Sequence, residues 1–433
     1  MRRTIPLLAT MALTLLVASG LALAVGVGSA AADSSVVEQG ESIQKAINAA
    51  DPGDTIVVRG VHREDVVIRK DGIKLRGDDA VIEAPAKADS PCSRAFGPEA
   101  ICVLGDVNLE TFEVKKRVKD VSVSGFTIRG FQEGELTFSI DLTGTRDATV
   151  AGNRTIGNVA GGVIVSGSID TTVLENDVVG NPNSSASGIF VEGSSVNTKV
   201  VKNDVRSYSE GENAIEVVES LDTTIEGNDL VGNWVGVYIE EAPETKVLSN
   251  DMSRTGLIGT YVAGQKSEDA KVVGNDISGG AWGILVQDTH SGSVLGNNVH
   301  DNCAGMFFEA FSQPVGDFKV AGNTVENNTQ SCRAAQFGRT FSGIGIALLG
   351  ARGMEVTANH LSGNVPSGPT RISGGVVVST DLYSGGTTKP KNNSVIGNHF
   401  GRNKPDIFYD GSGSGNRFVG NLCNTSEPSS LCN

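Results

Sequence analysis

The sequence lacks the marks of several protein classes. After the N-terminal segment, no apolar run approaches the roughly 20 residues that a membrane-crossing helix needs. Glycine is abundant, at 55 of 433 residues, but it does not recur at every third position, which excludes collagen. So much glycine also excludes a helical bundle, and the Val, Ile and Leu content excludes a disordered polar chain. What remains is a β-rich, turn-rich globular protein.

Positive charge is scarce. The chain has 35 Lys and Arg against 50 Asp and Glu, a net charge of −15. Such a surface repels nucleic acid and anionic membranes, so neither is expected as a partner. It would also repel an anionic polysaccharide, unless bound cations bridge the two.

The N-terminus carries an export pattern. Arg2 and Arg3 precede an apolar stretch from Ile5 to Val27, which ends on small residues up to Ala32. This pattern predicts a secretory signal peptide over residues 1–32, with an uncleaved N-terminal anchor as the alternative because the apolar run is long. We therefore expect a secreted, extracellular protein whose mature chain does not span a membrane.

Six cysteines in an exported chain suggest disulfides. Six cysteines allow 15 pairings, and the bridges between sequence neighbours are the favoured ones. A metal site is the weaker interpretation because no C-x-x-C is present. The predicted pairs are Cys92 with Cys102, Cys303 with Cys332, and Cys423 with Cys432.

One unit recurs from residue 120 onward: an apolar residue, two further residues, an asparagine, usually an acid, and another apolar residue. The mean period of about 27 residues indicates stacked supersecondary units rather than separate domains. The recurring asparagines are Asn153, Asn176, Asn203, Asn228, Asn250, Asn275, Asn297, Asn323, Asn359, Asn398 and Asn421.

Many units also contain a glycine followed by alternating apolar residues, as in Gly162–Val165 and Gly236–Ile239. Alternation with β-branched residues predicts strands. The leucine-rich repeat has a similar period, but it needs a leucine ladder and a helical turn in each unit. Here Val and Ile dominate, and both halves of the unit are typical of strands.

With these repeats, residues 41–422 resemble the right-handed parallel β-helix proteins of the pectin-lyase-like fold, and among them the secreted NosD-like repeat proteins. The helical pattern of Ser42–Ala50, ended by Pro52-Gly53, matches the capping helix of that family. The resemblance implies an all-β, single-stranded right-handed parallel β-helix with an N-terminal capping helix. The expected divisions are a signal peptide (1–32), a cap with first coils and an insertion (33–119), β-helix repeats (120–422) and a C-terminal tail (423–433).

Stacked coils turn each repeat position into a column. The asparagines are expected to be structural, each bonding its own bend and the amide of the next coil. The acid after the asparagine forms a column that either lies in solvent or binds Ca²⁺, the one cofactor that the pattern suggests. Its members are Asp177, Asp204, Asp229, Asp251 and Asp276.

A second column, on the outward side of the glycine-led strand, mixes aromatic residues with acids. That composition is typical of a sugar-binding surface, although packing beneath a loop explains it equally well. We expect extra loops at 84–119, 329–343, 365–373 and 382–393. The candidate substrate-binding residues are Phe190, Glu192, Tyr238, Tyr261 and Phe307, with Glu216 and Leu285 in the same column.

Acids on neighbouring coils can lie at the separation that glycosidases use. The best acid/base candidates are Glu240 and Glu309, with Asp288 and His290 on the following turn. The characteristic motifs of polygalacturonases, alginate epimerases and pectate lyases are absent. Two functions follow. One is a secreted protein that binds a polysaccharide or cell-surface glycan, with cleavage or epimerisation of that glycan as a further hypothesis; the alternative is a non-catalytic extracellular scaffold.

Overall fold

The computed structural model describes residues 33–132, 137–158, 161–180, 186–208, 212–334, 339–381 and 387–432. The predicted signal peptide lies outside the described residues. Residues Asp33–Asn433 form one compact unit. None of the helices described is both long enough and apolar enough to cross a bilayer.

A short helix, Ile43–Ala49, covers the first coil. The Ser42 side chain accepts a hydrogen bond from the Lys45 amide at 3.2 Å and caps the helix start, while Ile43 and Ile47 face the core. The helix ends before Pro52, as the sequence predicts. A second helix spans Pro91–Phe96, and a 3₁₀ turn spans Ser429–Leu431.

Three large sheets run along the described coils, and we call the 14-stranded one the first sheet. Its strands pair in parallel, one from each coil. They are Val66–Ile68, Ile101–Leu104, Phe138–Thr143, Gly161–Ser166, Ile189–Glu192, Asn213–Val218, Val235–Glu240, Ile258–Ala263, Trp282–Gln287, Ala304–Glu309, Ile344–Leu349, Gly374–Ser379, Ile407–Tyr409 and Ser426–Glu427.

The second sheet has 18 strands and holds the strand that precedes each asparagine. In the early coils, the strand after the asparagine belongs to it as well. Its strands are Ser34–Val37, Thr55–Arg63, Lys74–Glu83, Ser122–Arg129, Thr149–Ala151, Arg154–Ile156, Thr172–Leu174, Asp177–Val179, Lys199–Val201, Asp204–Arg206, Thr224–Glu226, Lys246–Leu248, Ala270–Val273, His290–Leu295, Gly316–Ala321, Glu355–Thr357, Ser394–Ile396 and Arg417–Val419.

The third sheet has six strands, which follow the asparagines of the later coils. Three short pairs complete the described strands: Val118–Lys119 with Thr145–Arg146, Asp106–Val107 with Val114–Lys116, and Cys332–Ala334 with Arg339–Phe341. The third-sheet strands are Asp251–Met252, Asp276–Ser278, Asn298–His300, Thr324–Glu326, His360–Ser362 and His399–Gly401. The chain is therefore a parallel β-helix.

The core lies inside the coils and consists mainly of Val and Ile from all three sheets. Glycine at the start of the first-sheet strands lets the coils pack closely. A Cβ atom on Gly283 would lie 2.4 Å from a methyl carbon of Val299 and 2.6 Å from the Gly305 carbonyl oxygen. These positions therefore accept no side chain, which explains part of the glycine excess.

All eleven recurring asparagines are buried, and they form one hydrogen-bonded ladder. The Asn250 side-chain amide donates to Oδ1 of Asn275 at 3.0 Å and to the Ile225 carbonyl at 3.0 Å. The same pattern joins every rung from Asn153 to Asn421. Each asparagine thus satisfies the polar groups that the bend would leave unpaired.

A second ladder lies five residues further along four of the later coils. Asn302 donates to Asn328, Asn328 to Asn364, and Asn364 to Asn403, at 2.8 to 3.0 Å. The sequence carries this ladder as the spacing Asn-x₄-Asn. Two asparagine columns therefore support the bends at this end of the β-helix.

The three predicted disulfides are present: Cys92–Cys102, Cys303–Cys332 and Cys423–Cys432. The first attaches the insertion around the helix Pro91–Phe96 to a first-sheet strand. The second attaches the loop around the strand Cys332–Ala334 beside the strand Ala304–Glu309. Two of the bridges thus fix inserted segments to the same sheet.

Candidate functional site

The outer side of the first sheet carries two rows of side chains on six consecutive strands, which we call the open face. At strand spacings of about 4.8 Å, the rows extend about 24 Å. Neither row contains a Lys, Arg or His residue. The first row is Asp141, Ile164, Phe190, Glu216, Tyr238 and Tyr261, and the second is Thr143, Ser166, Glu192, Val218, Glu240 and Ala263.

Inserted segments bound the open face at both ends. At one end lies the N-terminal wall, residues 84–119, held by Cys92–Cys102. At the other end lies the C-terminal wall, residues 329–334 and 339–343, which is held by Cys303–Cys332 and carries Phe341. The sequence predicts extra loops at both places, but the expected insertion 84–119 is interrupted by the first-sheet strand Ile101–Leu104. The walls leave a section of flat sheet open between them.

Tyr238 and Tyr261 are neighbours in the first row and occupy one end of the open face. Their rings meet edge to face, with centroids 5.2 Å apart. The Tyr238 hydroxyl donates to Oε2 of Glu240 at 2.9 Å, and Gln287 lies within hydrogen-bonding distance of the Tyr261 hydroxyl. Burial raises the pKa of Tyr238, and its hydrogen bond to Glu240 raises it further. The Tyr238 phenol therefore remains a neutral hydrogen-bonding group.

A cleft of about 470 Å³ opens beside these tyrosines, lined in part by Glu240, Gln287 and Asp288. Asp288 holds the turn at one side of this cleft. One of its carboxylate oxygens accepts hydrogen bonds from the backbone amides of Phe311, Ser312 and Gln313 at 2.8 to 2.9 Å. This carboxylate shapes the turn at 311–313 instead of facing a free reaction site.

Phe307 and Glu309 do not reach the open face. Phe307 is 1% exposed, with its ring 6.3 Å from that of Phe341 in the C-terminal wall. Glu309 is fully buried and accepts a 2.6 Å hydrogen bond from Gln287. Of the two interpretations of this column, packing beneath a loop is therefore the correct one for Phe307.

The pair Glu240 and Glu309 does not form a glycosidase-like couple. Three strand spacings separate the two residues, a distance of about 14 Å, whereas glycosidase carboxylates lie about 5 to 9.5 Å apart. His290 lies in a second-sheet strand, and its Nε2 is 3.3 Å from an Arg352 guanidinium nitrogen. The four acid/base candidates therefore do not converge on one point.

Phe190 and Glu192 lie nearer the N-terminal wall, and other acidic residues lie close to Glu192. Burial raises the pKa of Glu192, and the neighbouring Glu216 and Glu219 carboxylates add to the effect. Burial also raises the pKa of Glu212 to about 7, with a further contribution from Glu216. Glu212, which directly precedes the first-sheet strand Asn213–Val218, is therefore partly protonated near neutral pH.

The aspartates that follow the ladder asparagines bond to donor groups of the protein, which is not the arrangement of a Ca²⁺ site. Asp177 pairs with Arg154 at 3.0 Å and with Arg206 at 2.8 Å, and Arg206 also contacts Asp204. Asp276 contacts Asn298 at 2.8 Å and His300 at 3.1 Å. Asp229 and Asp251 accept amides of their own turns. Protein donors thus occupy oxygens that Ca²⁺ would need.

In the part of the chain that the structure describes, one group of metal-binding residue types converges: Cys92, Glu99, Cys102 and Asp141. The two sulfurs form a disulfide, so they offer no thiolate ligands. Sequence reasoning missed this group. Asp141 lies in the same column as Phe190, two coils nearer the N-terminus, so extending the column in that direction identifies it. Glu99 lies in an insertion without periodicity, so the repeat gives no signal for it.

Comparison with known proteins supports the architecture. The family model described as "Right handed beta helix region" matches residues 51–230, 161–325 and 213–400, which overlap. No curated protein matches the sequence.

Two solved structures share the fold. The A-module of the mannuronan C-5 epimerase AlgE4 from Azotobacter vinelandii is 17% identical, with a TM-score of 0.55 over 87% of this chain and 94% of that one. PfbA, a surface adhesin of Streptococcus pneumoniae, is 13% identical, with a TM-score of 0.53 over 87% of each chain. At these identities the likeness establishes the fold alone.

Proposed function

The chain belongs to the right-handed β-helix family, and from that premise we propose that it is an exported protein that binds an extended polysaccharide along its open face. The observation that carries this proposal is the double row of side chains between the two walls. Its aromatic members are Phe190, Tyr238 and Tyr261, and its acids are Asp141, Glu192, Glu216 and Glu240.

The spacing suits a linear polymer. Side chains in each row repeat at about 4.8 Å along the axis of the coils, close to the length of one sugar unit. The tyrosine rings offer apolar faces for stacking, and the carboxylates accept hydrogen bonds from hydroxyl groups. The cleft of about 470 Å³ beside Tyr261 has room for part of such a chain. One of the fold neighbours is named as an epimerase acting on mannuronan, which is a polysaccharide.

The test is a binding screen of the chain without residues 1–32 against neutral, anionic and amino polysaccharides. Turnover is scored in parallel by new reducing ends and by the absorbance of unsaturated products. Tyr238→Ala and Tyr261→Ala should each weaken binding about 10-fold, because each removes a stacking ring. Lys199→Ala, on the second sheet, is the control and should bind as the wild type does. Absence of binding to every polysaccharide would refute the proposal.

A further inference from the structure

A pocket of about 180 Å³ lies where the open face meets the N-terminal wall. Phe112, Phe138 and Phe190 form much of its lining, and the last two rings are 6.2 Å apart. Phe112 comes from the wall and is 48% exposed, so it marks the outer edge. Phe112 adopts a φ of +56°, which is unusual for a bulky residue. Its backbone amide donates a 2.7 Å hydrogen bond to the Asn108 carbonyl and so closes the turn that ends at Phe112. The wall thus holds an aromatic ring against the pocket.

Three carboxyl groups line the same pocket: Glu99, Asp141 and Glu192. Glu99 and Asp141 are only 2% and 1% exposed. Asp141 accepts a 2.6 Å hydrogen bond from the Thr143 hydroxyl, whereas Oε2 of Glu99 is buried without a hydrogen-bond partner. A buried carboxyl oxygen that faces a cavity without a partner is costly unless a ligand satisfies it.

The protonation of the pocket follows from its surroundings. Burial raises the pKa of Glu99 well above its usual value, and the adjacent Asp141 carboxyl raises it further. Burial raises the pKa of Asp141 to about 7, although hydrogen bonds from the Thr143 hydroxyl and from the Glu99 carboxyl act in the opposite direction. The charged groups that raise the pKa values of Asp141 and Glu192 are acids: Glu192 for the former, Glu216 and Glu219 for the latter.

Cations are missing from the lining. None of the described lining residues is Lys, Arg or His. Arg117 lies nearby, but it donates to the Gly167 carbonyl at 3.1 Å. A hard metal ion fits poorly, because Ca²⁺ takes six to eight oxygen ligands and much of this lining is phenyl ring. Carboxylates beneath aromatic rings are instead the surroundings that an organic ammonium group prefers.

We propose that this pocket binds the protonated primary amine of an amino sugar, and that the polysaccharide of the open face is a glycan with free amino groups. This inference rests on the proposed function, since it names the substrate class of the same face. The ammonium group would donate to Glu99 and Asp141 and lie against the rings of Phe138 and Phe190. Glu192, Glu216 and Glu240 would meet further amines along the chain, in an open face whose two rows lack basic residues.

The experiment compares three ligands by calorimetry with the wild-type chain at pH 6: a β-1,4-linked glucosamine tetramer, its fully N-acetylated counterpart, and spermidine. We expect the free-amine tetramer to bind at least 10-fold more tightly than either of the others. Binding should release protons, measured in two buffers of different ionisation enthalpy, because the ammonium favours ionised Asp141. Glu99→Gln and Asp141→Asn keep the size of each side chain and should each lower affinity at least 10-fold.

The outcomes separate the two proposals. If the N-acetylated tetramer binds as tightly as the free-amine tetramer, the amine inference fails while glycan binding stands. Equal binding of spermidine refutes a sugar-specific pocket, and competition by Ca²⁺ at equal affinity refutes an amine site. Unchanged affinity in both variants, with melting curves that show folded protein, also refutes it. If no glycan binds at all, the proposed function itself fails.

Discussion

The outer side of the first sheet has an open half and a covered half, although the strands and their register are continuous. In the open half, Phe190, Glu216 and Tyr238 remain partly exposed. In the covered half, the same row continues as Leu285 and Phe307, which are 3% and 1% exposed. The difference lies in the C-terminal wall, whose Phe341 lies against Trp282 at a ring distance of 4.7 Å. A sheet position thus becomes a packing or a binding position according to the loop above it.

The largest expected effect comes from removing the centre of the covered half. Trp282→Ala should lower the free energy of unfolding by about 3–5 kcal/mol, because the ring is buried between the sheet and the wall. Phe190→Ala, the truncation of an aromatic residue in the open half, should cost less than about 1 kcal/mol, since its ring is partly solvated already. Chemical denaturation measures both. Equal losses would show that the two halves do not differ in packing.

Releasing the C-terminal wall should have the next largest effect. The double variant Cys303→Ser and Cys332→Ser should lose about 2–4 kcal/mol of stability, because the bridge closes a loop of 29 residues. It should also bind a hydrophobic dye, since loosening the wall exposes Phe307 and Trp282. Removing the Cys423–Cys432 bridge is the control and should leave dye binding unchanged. Dye binding equal to that of the wild type would mean that packing alone holds the wall.

The open half should make the stability of the protein depend on pH through Asp141. A carboxyl group whose pKa is raised in the folded state binds its proton more tightly there, so the free energy of unfolding falls as pH rises from about 4 to 7. Asp141→Asn should remove part of this fall, at about 1.4 kcal/mol per unit of pKa difference between the folded and unfolded states.

The measurement is denaturation of the wild type and Asp141→Asn at pH 4.5 and pH 8. The variant should gain stability relative to the wild type at pH 8 and gain little at pH 4.5. Glu240→Gln is the control, because Glu240 is only half-buried. A gain of the same size at both pH values would attribute the effect to packing rather than to ionisation.

The smallest effect concerns the hydroxyl that positions Glu240. Tyr238→Phe removes the 2.9 Å hydrogen bond but keeps the ring. We expect a loss of about 0.5–1.5 kcal/mol in stability, because the bond is only partly shielded from water. Glycan affinity should fall less than in Tyr238→Ala, since stacking remains. If both variants lose the same affinity, the hydroxyl rather than the ring carries binding.

The fold was predictable from sequence because it repeats. Each asparagine of the ladder occurs in the same local pattern, so a wrong assignment of one coil from sequence is corrected by the pattern of the next coil. The site was predictable only where it follows the same period, as Tyr238 and Tyr261 do. Whether Phe307 is exposed depends on Phe341, which lies in an insertion and meets it only in three dimensions. Glu99 likewise joins Asp141 from an insertion that carries no repeat.

The asparagine ladder also determines how such a protein can change in length. Each rung bonds only to the rungs directly before and after it, so a whole coil is a removable unit. Duplicating residues 276–297, one 22-residue period, would place a new asparagine between Asn275 and Asn297 without changing the partners of more distant rungs. The molecule would grow by about 4.8 Å, the spacing of one strand. Lineages could thus adjust the reach of the protein by copying coils while leaving its cross-section unchanged.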